Sequence, residues 1–190
     1  MNWPVFLIAS LIAVALDGSL VQVLRVGDAS PSLLMFVMVY ALLNASKRTA
    51  LRAAMVAGLF VDLLSPLLTD ADGSTVVIVG PHLLAFALGA AAFLSFRNLL
   101  YRKSPLALAF GCVIFALLVA LGTTTVFLLR SMFTGDAPWG DATATGYLLV
   151  GFARAGLTAI LAAFLLPTLD RSRALWAFEG SGRLVGGAAR

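Results

Sequence analysis

The distribution of charge is the feature that most limits what this sequence can fold into. Of its 13 basic and 9 acidic residues, only Asp17, Asp62 and Arg154 lie well inside apolar stretches. The apolar stretches cover residues 4–24, 29–46, 53–68, 76–96, 105–129 and 144–169. A bilayer core of roughly 30 Å is crossed by about 20 helical residues. With 61% hydrophobic and 12% charged residues, the composition leaves no room for a sizeable water-facing domain. The sequence therefore predicts an all-α, polytopic transmembrane helix bundle, with residues 1–170 as one membrane domain and 171–190 as a short tail.

The charges between the apolar stretches predict the orientation. One set of connections contains ten of the 13 basic residues, namely Lys47, Arg48, Arg52, Arg97, Arg102, Lys103, Arg171, Arg173, Arg183 and Arg190. The alternate set is acidic and has only Arg25 and Arg130 as basic residues. Because Lys and Arg concentrate in cytoplasmic loops, we expect the basic connections and the C-terminus to lie in the cytoplasm. The net charge of +4 follows from this bias and requires no nucleic-acid partner.

The second apolar stretch leaves two topologies open. It begins Ala-Ser-Pro-Ser, and its strongly apolar part, Leu33–Leu43, is short. If it spans the membrane, there are six helices and both termini are inside; if it is re-entrant, there are five and the N-terminus is outside. We favour six spans, because non-helical backbone facing lipid leaves N–H and C=O groups unpaired at several kcal/mol each.

The three intramembrane charges require an explanation, because a charge near the membrane centre costs about 2.5–3.5 kcal/mol on insertion scales. Counted at about 1.5 Å per residue from the ends of their spans, all three fall in the outer half of the membrane. We therefore predict a buried ion pair between Asp62 and Arg154 that fixes helix register, with Asp17 as a competing partner. Two other roles stay open, a proton or substrate relay and a contact with a partner protein.

The sequence does not favour catalysis. A nucleophile with a histidine base would have to use His82, the one histidine, which we interpret as a polar cap at the outer start of the fourth stretch. The one cysteine, Cys112, excludes an internal disulfide and a Cys-ligated metal. The sequences around Asp17 and Asp62 lack the Tyr-Asp and Gly-x-Gly-Asp motifs of intramembrane aspartyl proteases. No phosphate-binding glycine loop, haem pair or flavin signature occurs. We predict no enzymatic activity, no cofactor and no metal.

Three consecutive segments resemble a known family. The first is PSLLMFVMVYA from Pro31, the second is GLFVDLLS from Gly58, and the third is GPHLLAFALG from Gly80. This pattern resembles MreD, the small multi-pass membrane subunit of the bacterial rod-shape (elongation) complex. The resemblance covers about residues 31–100, and the connection between the second and third segments is longer than is usual in that family. The matching positions are Pro31, Tyr40, Gly58, Asp62, Ser65, Gly80, His82 and Gly89.

The resemblance implies a fold and a function. The fold would be similar to the S component, the membrane subunit, of energy-coupling-factor vitamin transporters. The function would be that of a non-enzymatic scaffold for peptidoglycan synthesis and cell shape in the bacterial inner membrane, surrounded by lipid. Its partners would be MreC and, through MreC, the RodA glycosyltransferase and a class B penicillin-binding protein. The alternative is a substrate-binding transporter subunit, with an outward-facing pocket formed by Asp17, Asp62, His82 and Arg154.

Overall fold

The computed structural model describes residues 1–64, 68–69, 75–76, 79–99, 105–134 and 143–178. The helices are α1 Trp3–Gly18, α2 Leu33–Asn44, α3 Lys47–Leu64, α4 Pro81–Phe96, α5 Pro105–Thr134, α6 Ala144–Arg171 and α7 Arg173–Trp176. Short 3₁₀ turns cover Leu20–Leu24 and Arg97–Leu99. One small antiparallel hairpin, β1 Leu68–Thr69 with β2 Thr75–Val76, lies between α3 and α4.

The all-α prediction is confirmed, and each of the six apolar stretches overlaps one of the helices α1 to α6. Among the described residues, two helices are long and apolar enough to cross a membrane, over Leu106–Phe133 and Ala144–Leu165. α1, α2 and α4 are apolar but shorter. The helices are thus compatible with a membrane protein.

α3 begins earlier than the predicted stretch at residue 53. It starts at Lys47 and includes the basic residues Arg48 and Arg52 in its first turns. The hydroxyl of Ser46 accepts a hydrogen bond from the backbone N–H of Thr49 at 3.4 Å. A serine in this position satisfies an N–H group at a helix start, so the helix begins at the cap rather than where the apolar residues begin.

α2 is the centre of the bundle. Every residue from Leu34 to Leu43 is buried, and α1, α3, α4, α5 and α6 all pack against the helix. Its 12 residues span about 18 Å, well short of a bilayer core. Because α2 is surrounded by protein, the extended residues before it, including buried Ala29, need not present their backbone to lipid.

The five outer helices form an open ring around α2. Neighbours pack in the order α1, α3, α4, α5 and α6, whereas α1 and α6, at the two ends of the ring, make little contact with each other. We call the space between them the α1–α6 gap. At the N-terminus of α1 this gap is closed by α7, where the backbone N–H of Asn2 donates to the carbonyl of Trp176 at 2.8 Å.

The residues after α6 belong to the bundle as far as residue 178, which differs from the predicted tail at 171–190. Trp176 and Phe178 are buried, and their rings stack with centroids 5.7 Å apart. Both rings also pack against Tyr40 of the central helix. From sequence, a short apolar segment after a helix is typical of an interfacial anchor. In the structure this segment lies in the core because α1 and α6 leave space between them. Residues 179–190 lie outside the described residues.

Candidate functional site

Asp62 lies near the end of α3 and caps the start of α4. Its Oδ2 accepts hydrogen bonds from the backbone N–H groups of Gly80 at 2.8 Å and Leu83 at 3.1 Å. Its Oδ1 accepts the backbone N–H of His82 at 3.0 Å and lies 2.9 Å from the Nδ1 atom of that ring. The first backbone N–H groups of α4 have no acceptor within the helix. Gly80, at the N-cap position, has no side chain to accept them, so Asp62 supplies the acceptor. The carboxylate charge also faces the positive end of the helix dipole.

Asp17 does the same for the central helix. Near the end of α1, its Oδ1 accepts the backbone N–H of Leu33 at 2.6 Å, and its Oδ2 accepts that of Leu34 at 3.2 Å. The hydroxyl of Ser32 donates to Oδ2 at 2.8 Å and itself accepts the N–H of Met35 at 3.3 Å. Each of these two aspartates therefore holds the start of the next helix along the chain.

This arrangement differs from the predicted ion pair between Asp62 and Arg154. Among the described residues no ion pair joins them: the Asp62 carboxylate is 0% exposed and binds the start of α4. Arg154 lies on α6 with an exposed side chain, and it interacts electrostatically with Asp17 and His82 across the cavity described below. Because it is fully buried, Asp62 also does not reach a surface where this chain would contact a partner.

A close approach of backbones completes the junction of α3 and α4. A Cβ atom built on Gly58 would lie 2.6 Å from the carbonyl oxygen of His82 and 2.7 Å from the Cα of Leu83. No side chain fits in that space. Gly80 has φ 131, a backbone conformation that favours glycine. We call Gly58, Asp62, Gly80 and His82 the α3–α4 joint.

The other positions of the family-like pattern lie in packed regions. Pro31 is buried just before α2, and Tyr40 is buried in α2 with its hydroxyl donating to the carbonyl of Leu169 at 3.4 Å. Gly89 of α4 faces α5, where an added Cβ would lie 3.3 Å from a methyl group of Val119. Ser65 lies outside the described residues.

Arg97 is a structural residue that the sequence analysis did not single out. It is buried at the end of α4, and its Nη1 donates to the carbonyl oxygens of Leu42 at 3.2 Å and Ala45 at 2.7 Å. These are free carbonyl groups at the end of α2. The central helix therefore has an anion at its N-terminus, from Asp17, and a cation at its C-terminus, the arrangement that its dipole favours.

A cavity of about 300 Å³ lies at the end of the bundle where α1 and α3 end and α2, α4 and α6 begin. Apolar side chains such as Val14, Leu34 and Phe86 form much of its wall. The polar and charged lining residues are Asp17, Ser30, Ser32, His82, Thr123, Tyr147 and Arg154. Of the four residues predicted to surround an outward-facing pocket, three line this cavity, and Asp62 lies behind His82.

Side chains with metal-binding or nucleophilic chemistry lie partly at this cavity and partly in the core. His82 has its Nδ1 atom against Asp62, and its ring meets that of Phe127 edge-on at 6.2 Å. Cys112 is buried in α5 and is not among the lining residues. Within the described ranges no three His, Cys, Asp or Glu side chains come together to hold a metal ion.

The fold and this site define a membrane-compatible helical bundle with a cavity of mixed polar and apolar lining at one end. In comparisons with protein-family models, curated proteins and solved structures, the chain matches none.

Proposed function

We propose that the protein is a six-span, non-enzymatic scaffold of the MreD type in the bacterial inner membrane. In this role it binds MreC and, through MreC, the RodA glycosyltransferase and a class B penicillin-binding protein of the peptidoglycan elongation machinery. The observation that carries the proposal is the α3–α4 joint. The most specific residues of the MreD-like pattern, Gly58 and Asp62, meet Gly80 and His82 in one packing unit. The MreD-like residues of this joint thus pack helices together. This suits a scaffold protein, which presents the faces of its helices to partners.

The directions of the helices support six spans. α1 ends at the cavity and α2 begins there, and α3 ends and α4 begins there as well. α2 then runs to the opposite end of the bundle, where Tyr40 meets Trp176 beside the N-terminus of α1. A segment that passes from one end of the bundle to the other supports a span over a re-entrant loop.

The charges support the orientation. Lys47 and Arg48 begin α3 and Arg97 follows α4, so these basic residues lie at the end opposite the cavity. The positive-inside rule favours a cytoplasmic position for that end. The cavity and the exposed Arg25–Asp28 ion pair, with N and O 2.8 Å apart, then face the outside of the cell.

The outer face of α6 is the best candidate for partner contact. Leu149, Phe152, Ile160 and Phe164 are all more than half exposed, and Phe164 reaches 77%. In a bilayer such a face meets either lipid or the helix of another protein, and large side chains at an exposed face are available for packing.

Site-specific photocrosslinking in the native host tests the proposal. A photoreactive amino acid is placed at Phe152 or Phe164, and at Phe86 as the matched control, because that phenylalanine is only 1% exposed. We expect crosslinks to MreC or RodA from at least one exposed position and none from Phe86. Crosslinks to lipid alone from every exposed position on α6 would count against this face as the contact surface.

The cavity favours a second candidate function, a substrate-binding subunit of a small-molecule (vitamin) transporter. Its volume of about 300 Å³ is at the lower end of the range for small-molecule sites, and Asp17, His82 and Arg154 converge on it. Mass spectrometry of the purified protein distinguishes the two functions. A stoichiometric water-soluble ligand together with a co-purified energy-coupling ATPase would support the transporter.

A further inference from the structure

We infer that the cavity and the α1–α6 gap bind a phosphate-bearing amphiphile, with its phosphate on Arg154 and its chains in the gap. The inference does not depend on the scaffold proposal, because it concerns what fills this chain rather than what the chain assembles with. Three observations carry it: an unpaired guanidinium, a cavity of limited size, and an opening towards the bilayer.

The guanidinium of Arg154 has no hydrogen bond or ion pair with any residue that the structure describes. Asp17 is a nearby carboxylate, but its oxygens already accept three hydrogen bonds at the start of α2. Thr158 uses only the backbone carbonyl of Arg154, at 2.8 Å. The side chain is therefore a cation that the described part of the chain leaves available.

The depth of Arg154 makes an unpaired charge costly. It lies ten residues into α6, about 15 Å along the helix axis. α6 has 28 residues and is about 42 Å long, so its ends extend beyond a bilayer core of roughly 30 Å. Arg154 then lies within the outer half of the core, where its side chain can extend towards the headgroup level. At the headgroup level that the side chain can reach, lipid phosphates are abundant anions, and the planar guanidinium can bind a phosphate through two parallel hydrogen bonds.

The size and shape of the cavity favour an amphiphile over a small ligand held entirely inside. About 300 Å³ holds a headgroup but not acyl chains. The lining includes Val14 and Asp17 from α1 and Val150 and Arg154 from α6, so the cavity extends across the α1–α6 gap. Among the residues that the structure describes, α7 closes that gap at the far end. Chains leaving the cavity therefore have an apolar path between α1 and α6 into the bilayer.

Hydroxyl groups at the cavity already donate within the protein. Ser32 donates to Asp17, and Thr123 donates to backbone carbonyls of α5. Arg154 is thus the residue on which the binding of a phosphate depends most.

Native mass spectrometry of the purified full chain tests the inference with two probes that share their acyl chains. The probes are dioleoyl phosphatidylglycerol, which has a phosphate, and dioleoylglycerol, which has none. We expect one phosphatidylglycerol per chain and at least tenfold lower retention of dioleoylglycerol. Arg154→Gln should lower phosphatidylglycerol retention about tenfold, and Arg154→Lys should lower it less. The control is Arg25→Gln, since Arg25 lies at the same end of the bundle and is already paired with Asp28.

Three results would overturn the inference. The first is equal retention of phosphatidylglycerol by the Arg154→Gln and Arg25→Gln variants, at unchanged thermal stability. The second is displacement of the lipid by excess inorganic phosphate, which would indicate a site for the free ion. The third is a loss of MreC recovery in Arg154→Gln with lipid retention intact, which would assign Arg154 to a protein helix. Failure of the scaffold proposal is separate, because it is measured by partner recovery from the variants that still bind lipid.

Discussion

Removing the carboxylate of Asp62 should destabilise the protein more than a single helix cap ordinarily does. Asp62→Ala leaves the backbone N–H groups of Gly80, His82 and Leu83 without their acceptor in a fully buried place. A buried unsatisfied donor costs about 1–3 kcal/mol, so three of them would cost about 3–9 kcal/mol in a rigid structure. Relaxation of the α4 start and entry of water reduce this cost. We expect a loss of about 3–5 kcal/mol, as for the removal of one partner of a buried charge pair.

The assay is reversible unfolding in mixed micelles, with denaturing detergent as the titrant and far-UV circular dichroism as the signal. Asp62→Asn keeps one acceptor oxygen but loses the charge, so we expect a loss of about 2 kcal/mol. The matched control is Asp28→Ala, which removes an aspartate whose side chain is 81% exposed and bound to Arg25. We expect that control within about 0.5 kcal/mol of wild type. If Asp62→Ala unfolds no more easily than Asp28→Ala, the capping account of Asp62 is wrong.

The remaining predictions concern packing and burial. Gly58→Ala should lower the free energy of unfolding by about 2 kcal/mol or more, because the added Cβ meets the backbone of α4. The control is Gly156→Ala, which has open space around it and should be neutral or stabilising by about 0.5–1 kcal/mol. Arg97→Met should lower the free energy of unfolding by about 1.5–3 kcal/mol, because the hydrogen bonds to α2 are lost. The control Arg52→Met, at an exposed position, should change it by less than about 0.5 kcal/mol in the same titration. Cys112 is buried, so a maleimide should label it only as the protein unfolds; rapid labelling of the folded protein would contradict the packing of α5.

The helices could be predicted from the sequence because their signal is local. Charged residues are excluded from apolar stretches, so the positions of α1 to α6 follow from composition along the chain. The start of α3 could not be read from hydropathy, because the cap at Ser46 sets it six residues before the apolar stretch begins. The burial of Trp176 also could not be predicted, because it depends on the space that α1 and α6 leave.

The contacts of the candidate residues could not be predicted from the sequence. Asp17, Asp62 and Arg154 stand out as costly charges, and depth alone allows an ion pair between the last two. The structure instead satisfies both aspartates with backbone N–H groups that lie 16 to 21 residues further along the chain. Backbone donors carry no sequence signature. The available signal was a proline at or just before the helix that each aspartate caps, Pro31 in one case and Pro81 in the other.

Arg97 is a residue whose structural role the sequence does not indicate. The sequence assigns it to a basic cytoplasmic connection, where it resembles its neighbours Arg102 and Lys103. Its contact with the carbonyls of Leu42 and Ala45 depends on how α4 ends beside α2. The burial of Arg97 between α4 and α2 can therefore be recognised only from the packed helices.

The measurement that most directly tests the central claim is affinity purification of the tagged chain from its own host, followed by identification of the proteins recovered with it. The scaffold account predicts that wild type recovers MreC, with RodA and a class B penicillin-binding protein. The control variant Arg25→Gln should recover the same proteins in amounts close to those of wild type. Recovery of an energy-coupling ATPase module without MreC would contradict the account and assign the cavity to a transported substrate.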